Sequence, residues 1–251
     1  MLIEELQDFT YEAYRKFLKL LKQRYKIVPF CEVSKKEDSF LILRHDVDAS
    51  LDAALKLAKM ENSLGVRATY FVLFSHKLYN LLQKDDLNVL RKIAEFGHEI
   101  GLHYDVAAHE AYGRDLKKTL ENEIILLEHL LDKRISSIAC HNVSIMSGED
   151  PFRNARNYIN VYDPELCKNY VSDSCRAWYL EHLAQLLAFK YEKVQLLIHP
   201  FLWTEDVCER DSVLERFFQK VEDKNRAYLH DWLELWHRSP KVKKYDELAK
   251  K

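Results

Sequence analysis

The sequence predicts an α/β fold built on a parallel sheet, open or closed into a barrel. Short apolar runs of strand length alternate along the chain with segments whose apolar residues recur at helical spacing. Acids or histidines stand at the ends of most of those runs. Parallel strands finish at one end of the sheet, so groups placed there converge. The 251 residues, 47% of them apolar, suit one large α/β domain or two small ones.

Each element has its own signal. Tyr14, Phe17, Leu18, Leu21 and Tyr25 predict an amphipathic helix within 9–26 that packs outside the domain. Residues 40–45 predict the first core strand. Ser50 caps the next helix, which carries Leu51, Ala54, Leu55 and Ala58 and stops before Gly65. ATYFVLF (68–74) reads as a second buried strand, and Leu87, Leu90 and Ile93 as a helix ended by Gly97. HEIGLH (98–103) is a short strand with a terminal histidine. A long helix follows, with Leu116, Leu120, Ile124, Leu127 and Leu131 on one stripe. ISSIAC (135–140) is another strand, with His141 just after it. NYVSDS (169–174) and KVQLLIHP (193–200) are two more, carrying Asp173 and His199 at their ends. Residues 206–237 read as mostly helical and rich in Trp and Phe, and the KKYDELAKK tail as a solvated end.

Composition removes several classes of function. A net charge of −2 with acids and bases interspersed gives no basic stripe for nucleic acid. Gly and Pro, five each, are too scarce for flexible linkers. The five cysteines (31, 140, 167, 175 and 208) form no C-x-x-C pair, which argues against a disulfide framework or a structural zinc knuckle. The start, MLIEELQDF, carries acids where a signal peptide carries bases, and no stretch approaches the roughly 18 apolar residues of a membrane span. The expectation is a cytoplasmic protein with reduced thiols.

The run FLILRHDVDAS (40–50) concentrates the chemistry, with His45, Asp46 and Asp48 at a strand end. One carboxylate can hold a cation while its neighbour handles a proton. Aspartate and neutral imidazole are good ligands for a zinc-like divalent ion. Three such ligands leave a position for water, whose pKa then falls from about 16 towards roughly 7. A free carboxylate and a separate histidine complete the parts of a metal-assisted hydrolase of an acyl group.

LRHDVD, ATYFV, GHEIGLHYD, the histidine of IACHN, YVSDSCRAW and LLIHPFLW resemble, in this order, the motifs of the polysaccharide deacetylases, the NodB-like carbohydrate esterases, in an RHDVD-type variant. The resemblance runs from about residue 40 to 205. It implies a distorted, seven-stranded parallel (β/α) barrel forming a single domain over 1–251, with helical additions at 9–26 and 206–237. It implies metal-dependent removal of N- or O-acetyl groups from a carbohydrate. By position it makes Asp46 the general base and His199 the general acid. Asp48 and His103 are then metal ligands, with His141 favoured over His109 as the third. Val47 stands where the metal-binding aspartate usually follows, and Ala107 where a second histidine usually lies. The usual third-motif arginine is missing, which leaves Arg44 or His45 as the partner of Asp46. Asp173, Arg176 and Trp178 fall on the fourth motif, which orients the base or lines the pocket. The implied cofactor is one divalent ion, zinc first, with cobalt, nickel or manganese as alternatives. The implied partner is a carbohydrate, and the expected cytoplasmic address points to a small one, such as a nucleotide- or lipid-linked sugar.

Other readings stand beside these. Asp46-Val47-Asp48-Ala49-Ser50 also fits the opening of a haloacid-dehalogenase-like phosphatase, with Asp46 as nucleophile and magnesium as the ion. The departures from the motifs also fit a non-catalytic barrel that binds a glycan or protein. His98 reads as a structural turn residue, and Trp203, Trp232 and Trp236 as core or pocket wall.

Overall fold

The structure, a computed structural model, describes residues 2–34, 37–111, 113, 115–142, 152, 155 and 157–242. The KKYDELAKK tail lies outside the described residues. The chain divides into two compact units, Met1–Val207 and Cys208–Lys251.

The first unit is an all-parallel sheet curled into a half-barrel with helices around it. Its strands are β1 (Ile27–Val28), β2 (Phe40–Val47), β3 (Thr69–Leu73), β4 (Glu99–Tyr104), β5 (Ser137–Cys140), β6 (Ile159–Asn160), β7 (Tyr170–Ser172) and β8 (Lys193–Ile198). Seven lie in the order β6-β5-β4-β3-β2-β8-β7, and β1 pairs alongside the start of β2, Ile27 opposite Leu41. The helices are α1 (Leu2–Gln7), α2 (Tyr11–Leu21), α3 (Leu51–Ser63), α4 (Lys84–Glu95), α5 (Val106–Ala111), α6 (Leu116–Leu131) and α7 (Leu180–Leu187). The predicted distorted parallel (β/α) barrel of seven strands is therefore present, with one short strand added. The two-residue strands β1 and β6 went unpredicted because two residues carry no period.

Alternation along β2 sorts the core. Phe40 and Ile42 face the barrel interior with Phe30, Phe71, Ala139 and Val161. Leu41, Leu43 and Val47 face outward onto Leu57 and Ala58 of α3 and Leu18 of α2. All eight β2 residues are buried, as a central strand covered on both faces requires. Gln195 of β8 reaches across the interior and donates from Nε2 to the Val161 carbonyl just beyond β6 (2.9 Å), so a side chain links the two sides of the open barrel. Gly101 of β4 allows close approach: a Cβ there would stand 2.3 Å from the Phe71 ring. Gly97 ends the α4 segment at φ +85°.

The helix expected within 9–26 is α2, and a further short helix, α1, precedes it. Phe9 takes φ 52°, and Thr10 Oγ1 accepts from the Ala13 N–H (3.2 Å) to start α2 afresh. Ser50 caps α3 in the same way through Ala53, as its sequence position predicts.

The second unit is described mainly by one helix, α8 (Arg210–Arg238). Trp203, in the first unit, is buried core as expected. Trp232 and Trp236 are not: they are 45% and 58% exposed on α8, and their expected place in a core or pocket wall is corrected. Among the described residues, no helix is long and apolar enough to cross a membrane.

Candidate metal centre and acid–base groups

The carboxyl ends of β2, β4, β5 and β8 bring four histidine and aspartate side chains to one place. Asp48 leaves β2 one residue beyond its end, on the same face as Arg44 and Asp46. His103 sits near the end of β4, and His141 follows β5. His103 Nε2 lies 3.3 Å from Asp48 Oδ1 and 3.2 Å from His141 Nδ1, and His141 Nδ1 lies 3.6 Å from Asp48 Oδ1. Four donors held at about 2.0–2.1 Å around a tetrahedral zinc-type ion stand roughly 3.3–3.4 Å apart, so this triangle has the matching edge length.

Hydrogen bonding around the triangle points the same way. His103 Nδ1 donates to the Ala139 carbonyl (2.8 Å), which turns the Nε2 lone pair towards Asp48. Asn142 Nδ2 lies 2.6 Å from His141 Nε2. Turning the amide to bring Oδ1 there would let Nε2 donate and leave the Nδ1 lone pair free. Asp48 Oδ1 is buried and accepts no hydrogen bond among the described residues. A buried carboxylate oxygen left so beside two imidazole nitrogens fits a shared cation. The Asp48, His103 and His141 donor atoms form a group with metal-ligand spacing.

Two further acid–base groups flank this triangle. Asp46 is held by Arg44 of its own strand, which donates from Nε to Oδ1 (2.8 Å) and from Nη2 to Oδ2 (2.7 Å). Burial opposes the Asp46 charge, but Arg44 and then His103 outweigh it and hold the carboxyl below its usual range. Arg44 is itself fixed: Nη1 donates to Gln195 Oε1 (3.2 Å), Nη2 to the Tyr162 hydroxyl (3.3 Å), and its guanidinium stacks near the Phe71 and Tyr162 rings. His199, just past β8, lies 2.6 Å through Nδ1 from Asp173 Oδ1. Its Nε2 points to Asp48 Oδ2, 3.7 Å away. Burial opposes the imidazolium, but Asp173, Asp48 and Asp46 together raise its pKa to about 9. Asp173 is fully buried and also accepts from the His199 backbone N–H (3.0 Å) and from Trp203 Nε1 (2.8 Å).

Three sequence-predicted residues lie elsewhere, and so does the alternative metal ligand. The alternation of β2 turns His45 to the outer face, where Nε2 meets Glu61 Oε1 of α3 at 2.7 Å. It is no partner of Asp46. Arg176 donates to the carbonyls of Leu202 and Asp8 (both 3.2 Å), and Trp178 to that of Leu6 (3.0 Å) while stacking on Phe9. The chain turns through left-handed Cys175 (φ 58°) and Arg176 (φ 54°), which sends both side chains to fasten the N-terminal helices. His109 faces Glu123 of α6 (3.2 Å) and is outside the triangle. Tyr162 and Gln195 were missed, for they lie outside every motif, and Asn142 was missed because only the histidine of IACHN was singled out. His76, in the β3–α4 loop, was missed too; burial lowers its pKa, countered by Asp48.

No family model matches the chain, and no curated protein matches it. Among solved structures it is similar to a CE4 family pseudoenzyme from Bacillus anthracis (13% identity, TM-score 0.47), with 78% of this chain and 65% of that one covered. This chain thus spans just under two thirds of that relative. It is similar to peptidoglycan deacetylase PdaC from Bacillus subtilis (14% identity, TM-score 0.47), covering 81% of this chain and all of that one. It is also similar to a polysaccharide deacetylase from Bacillus cereus (13% identity, TM-score 0.42; 74% and 89% covered). These three solved structures are a family 4 carbohydrate esterase pseudoenzyme, a peptidoglycan deacetylase and a polysaccharide deacetylase.

Proposed function

We propose that this chain is a metal-dependent deacetylase of an acylated carbohydrate, with Asp48, His103 and His141 holding one divalent ion. The observation that carries the proposal is the triangle of their donor atoms, 3.2–3.6 Å on a side, between Asp46 and the His199–Asp173 pair. An ion of the zinc class, or cobalt, nickel or manganese, polarises an acyl carbonyl and acidifies water when bound.

The chain's own residues do the rest. Asp46, kept ionised by Arg44, accepts the proton of the attacking water. His103 is held in the ligating tautomer by the Ala139 carbonyl. His199, its charged form favoured by Asp173, protonates the departing amine or alcohol from Nε2. Water thus adds to the acyl carbon, and the C–N or C–O bond to the sugar breaks with its electrons leaving on N or O. A cytoplasmic address with reduced thiols, which we also propose, favours a nucleotide- or lipid-linked sugar over finished wall polymer.

The phosphatase reading fits less well. The late strand β8 leads into His199 rather than paired acids, and the triangle carries two imidazoles where a magnesium site takes oxygen ligands. Purified protein equilibrated with zinc tests the proposal: one ion per chain and acetate release from an N-acetylglucosamine oligomer or UDP-N-acetylglucosamine support it. Neither binding nor acetate release from any acylated sugar overturns it.

A further inference from the structure

We propose that α8 pairs with the α8 of a second copy of this chain as a parallel two-helix coiled coil. The 29-residue helix, about 44 Å long at 1.5 Å per residue, has a seam with alternating four- and three-residue spacing. Leu214, Val221, Tyr228 and Leu235 hold one set of heptad positions, the d set, and Phe218, Asn225 and Trp232 the a set. A single asparagine at the middle a position meets its own copy only when two helices run parallel and in register. That is the known use of a buried asparagine in fixing register and pairing.

The seam is exposed along the helix. Eight large apolar side chains on α8, from Leu214 to Trp236, are each 42–62% exposed. Five of them, Leu214, Phe218, Tyr228, Trp232 and Leu235, lie on the seam, and about half of the roughly 200 Å² that a large side chain carries gives about 500 Å² per helix, the low end for a specific interface. Within its own unit α8 is the long element among the described residues, so its stripe has no second helix there to cover it. A helix in water draws most of its stability from packing an apolar face rather than from propensity.

Charge separates this occupant from a lipid surface. The helix carries six basic and six acidic side chains, whereas surface-bound helices carry a basic excess that anionic lipid attracts. Several of these charges are spent within the helix, as in Arg226–Glu222 (2.7 Å) and Arg238–Glu234 (3.8 Å).

Sedimentation equilibrium of the full chain, with and without Trp232→Glu, tests the proposal. The expected result is a concentration-dependent dimer whose dissociation constant rises at least about tenfold in the variant, while near-UV circular dichroism of the first unit is unchanged. Asn225→Cys is expected to form an intermolecular disulfide under mild oxidation, because the parallel register places the two introduced thiols together; the matched Asn225→Ser chain controls for the native cysteines. A monomer at tens of micromolar, a dimer unaffected by Trp232→Glu, or flotation of a monomer with phosphatidylserine vesicles overturns the proposal. So does an Asn225→Cys dimer whose introduced thiols fail to join.

Discussion

Strand β2 separates two clusters of acids and imidazoles that look alike in the sequence and behave differently. On the inner face are Arg44, Asp46 and Asp48, with His103, His141 and His199 brought from other strands. On the outer face, His45 meets Glu61, whose carboxylate also accepts from the hydroxyls of Tyr14 (2.6 Å) and Tyr70 (2.8 Å). His98 stands 3.7 Å from Glu61 and is tied through its two ring nitrogens to the backbone of Ala68 and Ala58. Both Glu61 oxygens have donors, and the cluster is sealed: Glu61 and His45 are 0% exposed. Each cluster holds one buried polar atom with no partner among the described residues, His45 Nδ1 in the outer and Asp48 Oδ1 in the inner, but the inner one keeps Asp48 23% exposed on its side chain. A carboxylate with donors on both oxygens and no access describes a clamp that joins α2, α3, β2 and β3. Converging lone pairs with access describe a place for a ligand.

Substitutions can break this contrast, and the largest effect is expected on the inner face. Asp46→Asn or His199→Ala should lower kcat of acetate release about 10²–10⁴-fold, the usual contribution of a general acid or base, with the melting temperature nearly unchanged. Equal losses of activity and of folding would place these residues in the clamp class. Next, Asp48→Ala should weaken zinc affinity by more than the 10–100-fold that a supporting residue typically carries, measured by competition with a chromophoric chelator. Its apo stability should fall modestly, because the carboxylate's contacts with His103, His141 and His199 are lost.

The outer face should respond in stability. Glu61→Ala is expected to destabilise the protein by about 3–5 kcal/mol, the range for breaking a buried charged pair, read by urea denaturation. Urea unfolding of Phe71→Ala sets the scale, since losing that interior ring should also cost about 3–5 kcal/mol.

A pH series sharpens the comparison with a smaller effect. Burial opposes the Glu61 charge, but His45, His98 and Tyr14 hold its pKa below 4.5. A depressed folded pKa gives stability that is present above the unfolded value and lost as pH falls through the folded one. Wild type should therefore lose stability below about pH 4.5, and Glu61→Gln should flatten that part of the profile. An unchanged slope would mean that Glu61 is not the linked group.

Much of this contrast was legible in the sequence. The alternation of strand and helix periods gave the parallel sheet, and Asp48, His103, His141, Asp173 and His199 stood at strand ends because parallel strands expose their carboxyl ends together. The parity of β2 also separates Arg44, Asp46 and Asp48 from His45; the sequence reading grouped His45 with them by adjacency, where a period of two puts neighbours on opposite faces. Arg176 and Trp178 were beyond reach, since two successive left-handed residues after β7 redirect them and nothing in that run's composition announces such a turn. Tyr162 and Gln195 depend on which strands meet across the barrel, a relation no local pattern carries. Glu61 reads as a surface residue on a helix until the neighbours of α3 are known.

The central claim is that three residues from β2, β4 and β5 share one ion. X-ray absorption at the zinc edge, on full-length protein loaded with one equivalent and compared with His141→Ala and His109→Ala, tests it most directly. The account predicts two imidazole nitrogens and a carboxylate oxygen at about 2.0–2.1 Å, one imidazole lost in His141→Ala and none in His109→Ala. Loss of an imidazole in the His109 variant, or a shell unchanged by the His141 substitution, would contradict it.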